Sequence, residues 1–224
     1  MFVMFSASAA STAQDFSIPL SWSVFTGAAE KAGSSQLILV KTASEKATKA
    51  KVFLLSRENG KWGMSQKPMS ASVGRNGIAE PQAKREGDGK TPAGIFPIGL
   101  VFGYEASCPT RMPYIQVTEE DIWVDDPEAP DYNRLTRIGQ TNAKSFEHMK
   151  RKDDLYKLGL VVEYNTEPVV AGLGSAIFIH YWGKAFNTTS GCLGLPMNHL
   201  KRIIRFLEPD KSPVIIFTRE ALKS

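Results

Sequence analysis

The sequence predicts a mostly β domain with a few helices, and three observations carry that expectation. Short apolar, β-branched runs recur along the chain, clusters of Gly, Pro, Asn and Asp separate them, and only one segment spaces its apolar residues strongly at helical intervals. With 224 residues, 42% apolar and 22% charged, the chain can bury a sizeable core as one domain. That composition excludes a disordered tail or linker.

Taken in order, residues 1–13, MFVMFSASAASTA, join a short apolar run to small residues. Both Ala7-Ser8-Ala9 and Ser11-Thr12-Ala13 fit a small-x-small processing site, so this segment is read as the remnant of an export signal. Residues 14–35 are read as an N-terminal extension and 36–224 as a single domain. No other stretch approaches the roughly 18 continuous apolar residues that a membrane helix needs, so no membrane span is expected. The first strand is expected at 36–40. A hairpin follows, in which residues 52–55 and the Trp62 region flank Asn59-Gly60, a dipeptide that tolerates the positive φ angles of a type I′ turn. Further strands are expected at 95–98, 114–117, 160–164, 176–180 and 214–217. Leu200, Ile203, Ile204 and Leu207 make an apolar stripe after Pro196, predicting a helix over 196–207 that ends at Glu208-Pro209. A weaker helix is expected at 142–151. Residues 107–134, rich in proline and polar groups, are expected to form a long loop or lid.

The charge balance, 27 Lys and Arg against 23 acidic residues, leaves a net +4 spread along the chain, so nucleic acid is not an expected partner. Several motifs fail on spacing. Gly89-Lys90-Thr91 resembles the end of a phosphate-binding loop, yet Lys84 stands where that motif requires its first glycine. The three histidines, His148, His180 and His199, lack zinc-binding spacing, so no metal is expected. Glu119-Glu120 and Asp125-Asp126 are read as solvated loop carboxylates.

The chain's two cysteines are too few for a disulfide scaffold, so each is read on its own. Cys108 has no neighbouring histidine and is read as structural or incidental. Cys192 follows Asn187-Thr188-Thr189-Ser190-Gly191, a polar turn, and His180 closes an apolar strand twelve positions earlier. A strand, loop, helix path would bring imidazole to thiol, the pairing that nucleophilic catalysis by cysteine needs. Placed before the 196–207 helix, the cysteine is expected to gain thiolate character from the helix field, with the N–H groups of Gly191 and Cys192 facing an oxyanion.

His180 followed by Thr189-Ser190-Gly191-Cys192 resembles the signature of the L,D-transpeptidase catalytic domain family, the YkuD type. The resemblance extends to Gly74-Arg75-Asn76-Gly77, Lys84 through Gly94, Arg111-Met112-Pro113-Tyr114, Asp125-Asp126-Pro127 and Tyr132-Asn133-Arg134, and runs from about residue 36 to 218. It implies a β-sandwich or mixed-sheet catalytic domain over 36–224, exported to the periplasm or cell wall. The implied reaction is peptidoglycan cross-linking on stem peptides, without a cofactor. Cys192 is then the nucleophile, His180 the general acid and base, and the Tyr181 backbone carbonyl the group that orients the imidazole. Arg75, Tyr114, Trp182, Thr189 and Ser190 are expected to contact substrate. Two departures stand out: family members often carry His where Ser190 stands, and Arg or Asn where Gly194 stands. Binding of a substrate carboxylate therefore passes to Arg75, Lys84, Arg85, Arg111 or Arg134, with Arg75 the first choice because guanidinium forks suit carboxylates. An L,D-carboxypeptidase using water, a cysteine hydrolase of other amides and a non-catalytic cell-wall binding module are the competing readings.

Overall fold

The computed structural model describes residues 18–183 and 188–219; the expected signal remnant at 1–13 lies outside the described residues. The hairpin forms as expected, from β2 (Lys49–Glu58) and β3 (Lys61–Met64), with Asn59 and Gly60 at φ 49° and 80° in the turn. The remaining strands of the main sheet are β1 (Gln36–Thr42), β4 (Met69–Ser72), β5 (Gly94–Gly103), β6 (Tyr114–Gln116), β10 (Leu158–Val162), β11 (Phe178–Tyr181), β12 (Leu193–Leu195) and β13 (Val214–Arg219). Their neighbours run β1, β13, β5, β10, β11, β12, β4, β2, and β2 pairs back onto β1, so the mixed sheet closes on itself. The β1/β13, β5/β6 and β11/β12 pairs are parallel.

Several strands read as apolar runs rather than alternating ones because both their faces are covered, one by closure of the sheet and the other by elements packed outside it. Ile38, Val40, Val52, Leu54, Ile179, Ile215 and Phe217 share one cluster, into which α2 (Met197–Phe206) packs Leu200, Ile203 and Ile204. Alternate residues of the same strands, Leu37, Leu39, Leu55, Val214 and Ile216, join a second cluster with Trp22 and Ala29, the latter from α1 (Ser23–Lys31). A third cluster gathers Phe102, Val161, Phe178, Trp123, Tyr156 and Cys192, and this is the layer that holds the site.

The structure adds one helix that the sequence does not signal and corrects two local expectations. Within 14–35, α1 forms without a strong apolar stripe because Trp22, Phe25 and Ala29 pack on β1 and β13. The helix expected at 142–151 is absent; β9 (Phe146–His148) pairs with β7 (Asp121–Val124), with Ile122 opposite His148. Tertiary pairing overrides local propensity there. Besides β6, which matches the strand expected at 114–117, the expected loop 107–134 contains β7, the centre of a separate three-stranded sheet with β8 (Leu135–Arg137) and β9.

Candidate active site

Parallel pairing of β11 with β12 sets Ile179 opposite Leu193 and His180 opposite Gly194. One step earlier, the Phe178 N–H donates to Cys192 Sγ at 3.3 Å. Sheet register therefore brings cysteine and histidine together. The thiolate stabilisation expected from the helix field is not supplied, because β12 intervenes and α2 begins only at Met197. Both groups are buried and line one cavity of about 410 Å³. Burial pushes the thiol up to about 12, reinforced by the Glu147 carboxylate and opposed by the Phe178 N–H. The thiol proton is donated to the Ala176 carbonyl at 3.2 Å. Burial likewise pushes His180 down to about 4, against the opposing effect of the Tyr181 carbonyl. At neutral pH the pair is accordingly thiol and neutral imidazole.

His180 Nδ1 lies 2.7 Å from the Tyr181 carbonyl oxygen. A carbonyl only accepts, so Nδ1 carries the proton and Nε2 is left with the lone pair. The edge of the imidazole meets the Tyr156 ring at 5.2 Å and 71°.

The cysteine turn is held from three sides. Thr189 Oγ1 donates to the Cys192 carbonyl at 2.6 Å and accepts the Gly191 N–H at 3.2 Å. The Gly191 N–H, expected to face an oxyanion, is thus engaged by Thr189. Thr91 Oγ1 donates to the Gly191 carbonyl at 2.7 Å and accepts the Gly74 N–H at 2.9 Å. Gly191 sits at φ 154°, and a Cβ there would come within 3.0 Å of the Lys90 carbonyl oxygen, so the turn requires glycine. At the rim, the exposed Arg75 guanidinium donates to Ser190 Oγ at 2.9 Å and the Arg75 N–H to the Thr189 carbonyl at 2.8 Å. Gly194, where the family often has Arg or Asn, has no space for a side chain: a Cβ would lie 2.6 Å from Ser72 Oγ and 3.2 Å from Trp182 Cβ.

Of the residues expected to contact substrate, Arg75, Trp182, Thr189 and Ser190 line the cavity. Tyr114 does not. It sits on β6, its hydroxyl donating to the Glu105 carbonyl, beside the half-buried Cys108. The Tyr181 side chain turns to Lys157, whose Nζ lies 4.9 Å from the ring centroid. Arg85, Arg111 and Arg134 serve elsewhere, with Arg111 paired to Glu208 and Arg134 to Glu167. Lys84 is buried in the cavity wall, donating to Asp88 Oδ1 at 2.7 Å and to the Arg85 carbonyl at 2.6 Å. Cys108 and Cys192 are both free thiols.

Sequence reasoning missed Glu147, Arg151 and Tyr156, which also line the cavity. Glu147 accepts the Tyr156 hydroxyl, and burial holds its carboxyl above the ordinary range. Glu147 and Arg151 are spaced four apart within the expected 142–151 helix, so they read as a surface pair. The β7/β9 pairing sets Glu147 opposite Trp123, while Arg151, beyond the strand, lies 5.0 Å from the Tyr156 ring centroid. With Glu86 and Asp125, they give the cavity both acidic and basic walls. Among the described residues, no group of three or more His, Cys, Asp or Glu side chains is placed to hold a metal ion.

A cysteine and a main-chain-pinned histidine in one charged cavity of a mostly β domain is the arrangement of a cysteine-based enzyme. The chain belongs to the L,D-transpeptidase catalytic domain family, the YkuD type, whose model matches residues 36–216. Members of that family are cysteine-based enzymes that act on peptidoglycan. Among solved structures, the helical cell shape determining protein Pgp2 from Campylobacter jejuni is similar at 16% identity and a TM-score of 0.45, over 84% of this chain and 49% of that one. A single-site variant of Pgp2 matches with the same identity and TM-score over 48% of its length. The chain spans about half the length of these structures. No curated protein matches it.

Proposed function

We propose that this chain is a peptidoglycan L,D-transpeptidase of the periplasm or cell wall. The observation that carries the reading is the shared cavity of Cys192 and His180, with His180 Nδ1 tied to the Tyr181 carbonyl and Nε2 left as the base. Sγ attacks the carbonyl carbon of a stem-peptide amide at its L-centre. Its proton passes to His180 Nε2 as the S–C bond forms, since a thiol pushed up by burial and an imidazole pushed down do not form an ion pair at rest. The oxyanion is held by the Cys192 N–H, an N–H donor in a water-poor site. Collapse breaks the C–N bond, and His180 returns the proton to the leaving D-amino acid. An acceptor amine from a second stem then attacks the thioester, forming the cross-link and restoring the thiol.

Arg75 at the rim and Lys84 and Arg151 in the wall favour substrate carboxylates, whereas Glu86, Asp125 and Glu147 favour ammonium groups. A stem peptide carrying both charges suits such a cavity. Incubation with disaccharide tetrapeptide, followed by mass spectrometry, tests the reading. A cross-linked dimer with loss of the terminal D-amino acid is expected. Tripeptide alone would make the protein an L,D-carboxypeptidase with water as acceptor. Unchanged substrate would leave a binding module or a hydrolase of other amides.

A further inference from the structure

Ala176 is an alanine in the left-handed region, at φ 51°, a conformation that an L-residue with a Cβ adopts at a cost. Its surroundings show what holds it there. Asn133 is buried, and its amide uses its full bonding capacity: Nδ2 donates to the Tyr164 carbonyl at 3.0 Å and the Asn165 carbonyl at 2.7 Å. Oδ1 accepts Trp123 Nε1–H at 2.8 Å and the Ala176 N–H at 3.0 Å. Two carbonyls facing one end and two N–H donors facing the other settle the amide's orientation. Fixed by its own N–H, Ala176 aims its carbonyl at Cys192 Sγ, which donates to it at 3.2 Å while accepting from Phe178 N–H at 3.3 Å.

We propose that Asn133 is a positioning residue for the Cys192 thiol, acting through the left-handed backbone of Ala176. The inference rests on the reading of Cys192 as nucleophile. The acceptor carbonyl stabilises the neutral thiol and repels a thiolate, so the sulfur is parked until attack begins. Asn133 stores the proton on sulfur in the free enzyme and fixes the distance that Sγ travels toward substrate. The charged groups near the sulfur, Glu147, Lys84 and Arg151, and the hydroxyl of Tyr156, lie on other segments than Asn133 and Ala176.

The test is the rate of alkylation of Cys192 by iodoacetamide in the full chain, mapped by peptide mass spectrometry against Cys108. Asn133→Gly keeps the backbone accessible at φ 57° and removes the clamp. It is expected to raise the alkylation rate at pH 8 by about tenfold, as the thiolate fraction grows, and to lower kcat with KM unchanged. Ala176→Val disfavours the left-handed backbone from the other side and is expected to act alike. Trp123→Phe removes the other donor to Oδ1 but leaves the Ala176 bond, so it is expected to lower stability without changing alkylation. Unchanged alkylation in Asn133→Gly and Ala176→Val, or an equal rise in Trp123→Phe, overturns the proposal. Turnover of stem peptide surviving in Cys192→Ala would instead overturn the reading beneath it, and is scored separately.

Discussion

Thr91 and Gly191, a hundred positions apart, are joined by a 2.7 Å hydrogen bond from the threonine hydroxyl to the glycine carbonyl. The same hydroxyl accepts the Gly74 N–H, so one buried side chain locks the cysteine turn to the loop that carries Arg75. Thr91→Val keeps the shape and leaves both backbone groups unpartnered. Each such buried orphan costs about 1–3 kcal/mol, so a loss of several kcal/mol in urea unfolding is expected, with Thr91→Ser recovering most of it. An unchanged unfolding midpoint in Thr91→Val would show that the two segments are held by other contacts.

Stability should depend on pH through His180. Its folded pKa lies at about 4, below the ordinary 6.5, so between those values the unfolded state binds more protons. The contribution is fully present above pH 6.5 and is lost as pH falls toward 4, amounting to roughly 3 kcal/mol. Urea unfolding of the wild type across that window should show the slope, and His180→Gln should flatten it. Because the imidazole must be neutral to accept the thiol proton, kcat/KM should also hold down to about pH 5. An acid limb centred near 6.5 would place His180 in water.

Arg75 is exposed at the cavity rim, so Arg75→Ala should leave the melting temperature nearly unchanged while raising KM about ten- to a hundredfold, the range for a lost hydrogen bond to a charged group. Arg75→Lys should recover little, since a point charge does not replace the fork. Tyr114→Phe is the control: its hydroxyl reaches only the Glu105 carbonyl, outside the cavity, and the kinetics should not change. Equal KM in all three would move carboxylate recognition to Lys84 or Arg151.

Introducing a side chain at Gly194 should abolish activity before it improves binding. The space is taken by Ser72 Oγ, Trp182 and Thr189, and Gly194 opposes His180 across the strand pair. Gly194→Ala is expected to push β12 off register and lower kcat; restored or enhanced turnover in Gly194→Arg would show that the site relaxes around the family's usual residue.

What could be read from the sequence follows from where the information lies. The runs at β1, β10 and β13 are legible because strands buried on both faces must be apolar throughout. The α2 stripe is legible because one helix face alone is covered. Of the strands of three or four residues, β3, β6 and β11 are legible from a hairpin turn or an apolar, aromatic run, whereas β4, β7, β8, β9 and β12 carry too few such side chains and are decided by pairing partners elsewhere. The same reason hid Glu147, whose segment fits a helix until β7 pairs with it as β9. Cys192 and His180 stand out in the sequence as reactive residue types at a glycine turn. The source of their electrostatics was not legible, because burial, which sets both pKa values, is a property of the closed sheet and of the layer formed by Tyr156, Trp123 and Phe178.

The proposed reaction runs through an acyl-enzyme on Cys192. Full-length protein incubated with disaccharide tetrapeptide, quenched in acid and digested should yield one thioester-modified peptide, mapped to Cys192, with no adduct in Cys192→Ala and a slowed approach to it in His180→Gln. An adduct on Cys108, or product formed at the wild-type rate by Cys192→Ala, would contradict the account.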